Sequence, residues 1–170
     1  MKNITESGEY DLRFSEQGDE HHLLEWFKWP GMSENFPFET QREREIFTKN
    51  WASFFRYKCA LTAVYKGKVV GMAVLFLMPY KKVSRHGMLY FIVDPRVQRK
   101  GVGSSLIKNI IHLGKTRFAL ERIYLDVYEG SNAKPFLEHC GFTEVLFQEK
   151  VVKGANGKYK GRHLMEVSFI

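Results

Sequence analysis

The chain has 170 residues, of which 44% are hydrophobic and 26% are charged, a composition that excludes intrinsic disorder. This length predicts one continuous domain over residues 1–170. Lys and Arg total 26 against 19 for Asp and Glu, so the formal net charge of +7 favours an anionic partner. That partner is a nucleic acid, an acidic membrane surface or a small polyphosphate, and charge alone does not choose among them.

Cysteine and histidine usage argues against a metal site and a disulfide scaffold. Cys59 and Cys140 form no C-x-x-C, and the six histidines form no cluster with zinc-ligand spacing. Residues 1–9 are polar and lack an apolar signal core, and the longest apolar run, residues 69–78, is far short of the roughly 20 residues that span a bilayer. We therefore expect a soluble, cytoplasmic protein with no metal and no membrane insertion.

The first part of the chain predicts one strand followed by two helices. Residues 10–14 alternate polar and apolar side chains, as a strand does. Asp19 is predicted to cap the first helix. Thr40 is predicted to cap the second, at residues 41–55, where Glu43 completes a capping-box pattern. The loop between the helices holds two prolines and a glycine. Its candidates for lining a pocket are Trp29, Met32, Phe36 and Phe38.

The rest of the chain predicts six more strands and two more helices around a central crossover. A hairpin is expected from strands 60–65 and 69–78, and the apolar run 88–93 is typical of a strand buried on both faces. The remaining elements are a helix at 103–118, a strand at 122–128, a helix at 133–139 capped by Asn132, and strands at 143–152 and 163–170. The order predicts a mixed α/β fold with a β-α-β unit at its centre.

Residues 93–104 carry the clearest functional signal. A buried strand ends there, a basic loop with Gly101 and Gly103 follows, and a helix begins. The first turn of a helix offers unpaired N–H groups, and glycine lets a ligand approach the backbone closely. Arg99 and Lys100 add positive charge, so the segment predicts a pyrophosphate site. The G-x-G-x-x-G fingerprint and the P-loop are both absent, which disfavours NAD, ATP and GTP.

This segment resembles the acyl-coenzyme A loop of the GNAT superfamily of N-acetyltransferases. Residues 133–142 also resemble that family's A-x-x-F-[YL]-E-x-x-G-F block, and the element order matches over about residues 10–170. The loop signature is V-x-P-x-x-[QR]-x-x-G-x-G, and its fixed positions are occupied by Val93, Pro95, Gln98, Gly101 and Gly103. The resemblance implies a mixed, mostly antiparallel sheet of six to seven strands, flanked by about four helices.

The resemblance further implies acetyl-CoA as a co-substrate. In this family two central strands splay apart around the pantetheine arm, so backbone N–H groups of residues 91–93 would bind it and polarise the thioester carbonyl. The loop at residues 98–104 would hold the pyrophosphate, and Lys108 is either a contact to the outer phosphate or a surface lysine. The implied cofactor-binding residues are Phe91, Ile92, Val93, Gln98, Arg99, Lys100, Gly101, Val102, Gly103, Ser104 and Asn132.

The implied reaction is direct attack of a primary amine on the acetyl group in a ternary complex. The amine belongs to a small molecule or a peptide N-terminus, and its ammonium, with a pKa near ~10.4, must first lose a proton. Asp126 is the candidate base, with a structural ion pair as the alternative reading. Leu137 occupies the position of the family's usual Tyr acid, so Tyr128 is the candidate proton donor, with packing as the alternative.

Other functions stay open at this point. Leu137 in place of Tyr motivates a non-catalytic acyl-CoA-binding or regulatory module on the same fold. A nucleic-acid partner is disfavoured, because no RNP, KH, helix-turn-helix or zinc-finger pattern accompanies the positive charge. The acceptor, the acyl chain length and whether the chain forms a homodimer are not determined by the sequence.

Overall fold

The computed structural model describes residues 10–170, and its elements follow the predicted order. The polar segment 1–9 lies outside the described residues. The strands are β1 (Asp11–Phe14), β2 (Ala60–Tyr65), β3 (Lys68–Leu77), β4 (His86–Val93), β5 (Arg122–Tyr128), β6 (Thr143–Lys153) and β7 (Tyr159–Ser168). The α-helices are α1 (Glu20–Trp26), α2 (Gln41–Ser53), α3 (Val102–Arg117) and α4 (Ala133–His139), with short 3-10 helices at Phe55–Tyr57 and Pro95–Val97.

Most predicted bounds agree with the structure to within two residues. The bounds of β5 and α4 are those predicted, whereas β7 begins at residue 159 rather than 163. The early start arises because β7 pairs with β6 as far as Lys153↔Tyr159, across two register shifts that the sequence pattern does not reveal.

The strands form one seven-stranded sheet in the order β1-β2-β3-β4-β5-β7-β6. Neighbouring strands are antiparallel except β4 and β5, which are parallel and are joined through α3. This confirms the mixed, mostly antiparallel sheet with a central β-α-β crossover.

The parallel pair β4–β5 is joined over a short length. Its register runs from His86↔Arg122 to Met88↔Tyr124, whereas on its other edge β4 pairs with β3 from Gly87 to Val93. The ends of β4 and β5 therefore diverge, and from residue 89 onward the β5-facing edge of β4 has no strand partner.

Each face of the sheet carries its own apolar cluster. One cluster packs α3 and α4 against the sheet and includes Leu106, Ile110, Ile123 and Phe142. The other packs α1, α2 and their connecting loop on the opposite face, and it is largely aromatic. Its aromatic members are Trp26, Phe27, Phe36, Phe38, Phe47 and Trp51. The aromatic content of the first third of the chain thus serves mainly to hold the two helices on the sheet.

Two expected helix caps need correction, and the capping box is confirmed. Thr40 accepts from Glu43 N while the Glu43 carboxylate accepts from Thr40 N. Asp19 precedes α1 but makes no capping bond, because its carboxylate is held by Arg13 and Thr62. Asn132 precedes α4 and makes no capping bond either, since the hydroxyl of Ser131 accepts from the first helical N–H.

The strand expected to be buried on both faces is buried only at intervals. In β4, Leu89 and Ile92 are buried, while Phe91 and Val93 are half-buried. The reason is the divergence from β5, which opens a cavity along this end of the strand. Within residues 10–170 no helix has the length and apolar character needed to cross a membrane.

Candidate functional site

A cavity of about 950 Å³ opens where β4 and β5 diverge. Two of its walls are residues 89–93 of β4 and residues 125–127 of β5. The loop before α2 and the first turns of α3 and α4 complete it. The cavity therefore lies at the predicted motif, on the edge of β4 that lacks a strand partner.

The start of α3 presents unused backbone donors to this cavity. Gly101 at the N-cap adopts φ +85°, a left-handed conformation that glycine tolerates best. The first intrahelical bond runs from Ser105 N to the Gly101 carbonyl at 3.0 Å. Within residues 10–170, the N–H groups of Val102, Gly103 and Ser104 find no acceptor. These three donors and the positive end of the helix dipole fit a diphosphate.

Gly103 brings the two sequence motifs into contact. A Cβ on Gly103 would lie 3.2 Å from Cζ of Phe136 and 3.6 Å from Cγ2 of Val93. Phe136 belongs to α4, and its ring centroid lies 5.9 Å from that of Phe91. The glycine loop and the 133–142 block are therefore two sides of one cavity, and the absence of a side chain at Gly103 permits their close packing.

The basic loop contributes unequally. Arg99 lines the cavity, is exposed and forms no ion pair with residues 10–170. The Gln98 amide is already engaged, because its Nε2 donates to the Val93 carbonyl at 3.4 Å and contacts Met32 Sδ at 3.1 Å. Lys100 is exposed outside the lining, and its carbonyl accepts from the Tyr10 hydroxyl. Val102 is buried and is not among the lining residues, so its side chain belongs to the core.

The turn between β5 and α4 presents the side-chain amide of Asn132 to the cavity. Because the Ser131 hydroxyl caps α4, the exposed side chain of Asn132 is free of that task and lines the cavity. Ser131 also accepts from Asn35 Nδ2 at 2.7 Å, which links the turn to the loop before α2.

Asp126 lines the cavity and is also held by an arginine. Its Oδ2 accepts from Arg162 Nη1 at 3.0 Å, and the Asp126 side chain is 14% exposed. Asp126 therefore forms the ion pair of the alternative reading and also lines the cavity, while its role as the base stays a prediction.

Tyr90 is a cavity residue that sequence reasoning missed. It lies on β4 among the lining residues. Burial, and then the nearby Tyr128, Asp126 and Tyr124, raise the pKa of its phenol well above the ordinary value. A phenol is protonated at neutral pH even at its ordinary pKa, so Tyr90 is able to donate a hydrogen bond. The alternating pattern of β4 is enough to place Tyr90 and Ile92 on the face that α2 covers. The cavity beside Tyr90 could not be predicted, because it exists only where β5 diverges from β4.

Tyr128, the predicted proton donor, does not line the cavity. Its backbone N–H donates to Asn35 Oδ1 at 3.0 Å, and burial followed by the charge of Asp126 raises the pKa of its phenol. Leu137 lines the cavity and is fully buried, so this position supplies an apolar wall. Lys108 is exposed on α3.

A helix start with open backbone donors beside two diverging strands has the shape and polarity that an extended phosphate-bearing ligand needs, as the GNAT resemblance implies. Residues 21–142 match the model of the acetyltransferase (GNAT) family. The chain belongs to that family.

Known proteins similar to this chain include a spermine/spermidine N(1)-acetyltransferase of Bacillus subtilis. It is 32% identical over 71 residues, which are 39% of this chain and 47% of that protein. The match thus spans about half the length of that relative.

Solved structures share the fold over almost the whole chain. A GNAT-family acetyltransferase from Streptococcus pneumoniae has a TM-score of 0.71 at 23% identity, covering 95% of this chain and 100% of that one. A putative acetyltransferase from Salmonella typhimurium, solved with acetyl-CoA, has a TM-score of 0.74 at 18% identity. The match covers 95% of this chain and 94% of that one.

Proposed function

We propose that the protein transfers the acetyl group of acetyl-CoA to a primary amine by direct attack in a ternary complex. The observation that carries this proposal is the continuity of the cavity, which runs from the open start of α3 to the diverging edges of β4 and β5. A diphosphate and an extended pantetheine arm need such a pair of adjoining surfaces.

The residues present fit acetyl-CoA, which supplies a thioester already activated towards attack by an amine. The amides of Val102, Gly103 and Ser104, with the unpaired Arg99, would bind the diphosphate. The unpaired edge of residues 91–93 would bind the pantetheine amides and place an N–H near the thioester carbonyl. Asn132 offers a further side-chain donor at the rim.

On the acceptor side, the chain's own groups select and orient a cation. The Asp126 carboxylate would bind the ammonium within the cavity and accept its proton, directly or through a water, so that the neutral amine attacks the thioester carbonyl. The Tyr90 hydroxyl would donate its proton to the departing sulfur. Binding both reactants in one cavity excludes water and removes much of the entropic cost of their encounter.

The charge of the entrance favours an acceptor with more than one amine. Glu34 lines the cavity, is exposed, and forms no ion pair with Lys or Arg among residues 10–170. Glu39, on the same loop, is outside the lining, and its carboxylate accepts from the Ala155 N–H at 2.6 Å. Negative charge at the entrance of a protein with a net charge of +7 attracts cations locally. The Bacillus subtilis relative carries the name of an enzyme acting on spermine and spermidine, so small polyamines are the first acceptors to test.

A second candidate function is acyl-CoA binding without transfer. The fully buried Leu137, at the position where the family often has a tyrosine acid, favours it. This function predicts coenzyme binding with no turnover, whereas the proposed enzyme turns over.

The test is release of coenzyme A thiol from acetyl-CoA in the presence of spermidine, spermine, free amino acids and a peptide with a free N-terminus. We expect turnover that depends on the amine and an N-acetylated product by mass spectrometry. Arg99→Ala should raise KM for acetyl-CoA about tenfold, the equivalent of one lost charge-assisted contact. The control Lys82→Ala, which removes an exposed cation from the loop between β3 and β4, should leave KM for acetyl-CoA unchanged. Coenzyme binding without turnover on any amine would contradict the enzyme and support the binding module.

A further inference from the structure

Arg162 connects three neighbouring strands, β5, β7 and β6, through its own position and its hydrogen bonds. On β7 it lies opposite Tyr128 of β5 and opposite Gln148 of β6. Its Nη1 donates to Asp126 Oδ2 at 3.0 Å, its Nε donates to Gln148 Oε1 at 3.0 Å, and its Nη2 also donates to that oxygen. The edge strand β6 is therefore connected to the cavity through one guanidinium.

Asp126 is held by only one nitrogen of Arg162, because the other two bond to Gln148. A guanidinium and a carboxylate commonly pair through two parallel bonds. Here the Nε–Nη2 edge of Arg162 is occupied by Gln148, and the bond to Asp126 comes from Nη1. Within residues 10–170, Asp126 Oδ1 has no hydrogen-bond donor, although Asp126 lines the cavity. One carboxylate oxygen is thus fixed and the other is left open.

We propose that Gln148 is a positioning residue for acceptor binding. By holding the Nε–Nη2 edge of Arg162, it keeps Asp126 bound through one oxygen and leaves Oδ1 to accept an N–H of the acceptor ammonium. This inference rests on the proposed function, because it concerns an amine bound at Asp126. It assigns a role to a β6 residue that does not itself line the cavity.

Removal of the Gln148 carbonyl oxygen has a defined consequence. A guanidinium released from Gln148 can turn and pair with both oxygens of Asp126, which then has no free oxygen for the amine. KM for the amine should therefore rise, while KM for acetyl-CoA stays constant, because the α3 start and the β4 edge are untouched. A residue that served the fold alone would instead lower stability and affect both substrates.

The experiment compares Gln148→Met, which keeps the length without a strong acceptor, with Gln148→Glu, which keeps an acceptor for Arg162. The matched control is Glu149→Gln, a change at the next, exposed position of β6. We expect Gln148→Met to raise KM for the amine about tenfold, the loss of one charge-assisted bond, with an unchanged Tm and KM for acetyl-CoA. Gln148→Glu and Glu149→Gln should stay near the wild type.

Two results would overturn the positioning role. One is an unchanged KM for the amine in Gln148→Met. The other is a lower Tm together with a higher KM for both substrates. If Gln148→Met does not fold, Gln148→Asn replaces it, because the shorter amide cannot reach Arg162 equally well. Absence of turnover in the wild-type protein would contradict the proposed function itself, so the two failures are distinguishable.

Discussion

The Asn35 side chain accepts the backbone N–H of Tyr128 at 3.0 Å and thereby ties the loop before α2 to the end of β5. Its Nδ2 donates to Ser131 Oγ at 2.7 Å in the following turn. Because β5 lacks β4 as a partner at this end, a side chain from 93 residues away supplies the acceptor that a neighbouring strand would provide. Asn35 also lines the cavity, so the acceptor wall and the splayed strand are fixed together.

Asn35→Ala should therefore lower the free energy of unfolding by about 1–2 kcal/mol, since it leaves a half-buried backbone N–H without its acceptor. It should also raise KM for the amine, because the loop loses its attachment. Urea denaturation and steady-state kinetics measure the two effects. Asn50→Ala, at an exposed position of α2, is the control and should change neither. Equal effects from both variants would show that the Asn35 bonds are unimportant.

Gly101→Ala should separate backbone strain from ligand binding. Gly101 and Gly67 both have positive φ, 85° and 76°, so an alanine at either costs about 1–2 kcal/mol of stability. Gly67 lies in the β2–β3 turn and is not among the residues that line the cavity, so it provides a matched control. We expect similar losses of Tm in the two variants and a lower affinity for coenzyme A in Gly101→Ala alone, measured by calorimetric titration. A coenzyme affinity that is the same in both variants would speak against the α3 start as the diphosphate site.

Tyr90→Phe should lower kcat by about 10²-fold if its hydroxyl donates the proton to the departing sulfur. This phenol is protonated at neutral pH, and burial, the first cause, raises its pKa further above the ordinary value. Tyr124→Phe is the matched control, because Tyr124 lies on β5 where the strands still pair and outside the cavity lining. Tyr128→Phe tests the donor predicted from the sequence. A normal kcat in Tyr90→Phe with a loss in Tyr128→Phe would restore the original assignment.

Asp19 should make folding stability sensitive to acid. Burial raises its pKa, but hydrogen bonds from Arg13, from the Glu16 N–H and from Thr62 more than offset this, and the net pKa lies below the ordinary value. A carboxyl with a lowered folded-state pKa stabilises the protein above its unfolded value near ~3.9, and that contribution is lost as the pH falls through the folded-state pKa.

Asp19→Asn should accordingly cost about 2 kcal/mol at pH 7 and flatten the decline of stability below pH ~4. Urea denaturation from pH 7 to pH 3 measures both effects. Some decline should persist, because hydrogen bonds from Arg96 outweigh burial and lower the pKa of Asp94. Asp11→Asn, on the exposed start of β1, is the control. An acid dependence in Asp19→Asn as steep as in the wild type would refute this role.

The sequence predicted the parts of the site that depend on local order along the chain. The strand–loop–helix at residues 93–104 was recognisable from the glycines and charges of a few neighbouring residues, and the 133–142 block from its resemblance to the family's motif. The structure adds the contact between them through Gly103 and Phe136. The family, the seven-stranded sheet and the order of elements agree with the expectation.

The misjudged features depend on distant partners. Asp19 has the position of a helix cap, but Thr62, 43 residues away, draws its carboxylate into a buried cluster. Tyr90 was placed in a fully buried strand, although the divergence of β5 opens the space beside it. Arg162 and Gln148 reach Asp126 only through the pairing of three strands. Local sequence patterns do not show which residues of distant strands pair with one another.

The central claim is that the amides at the start of α3 and the free edge of β4 together bind acyl-coenzyme A. Titration of ¹⁵N-labelled protein with coenzyme A, followed by amide NMR, tests it most directly. We predict that the largest shifts occur at Val102, Gly103 and Ser104 and along residues 91–93. Binding that leaves these amides unperturbed, or no binding at millimolar coenzyme A, would contradict it.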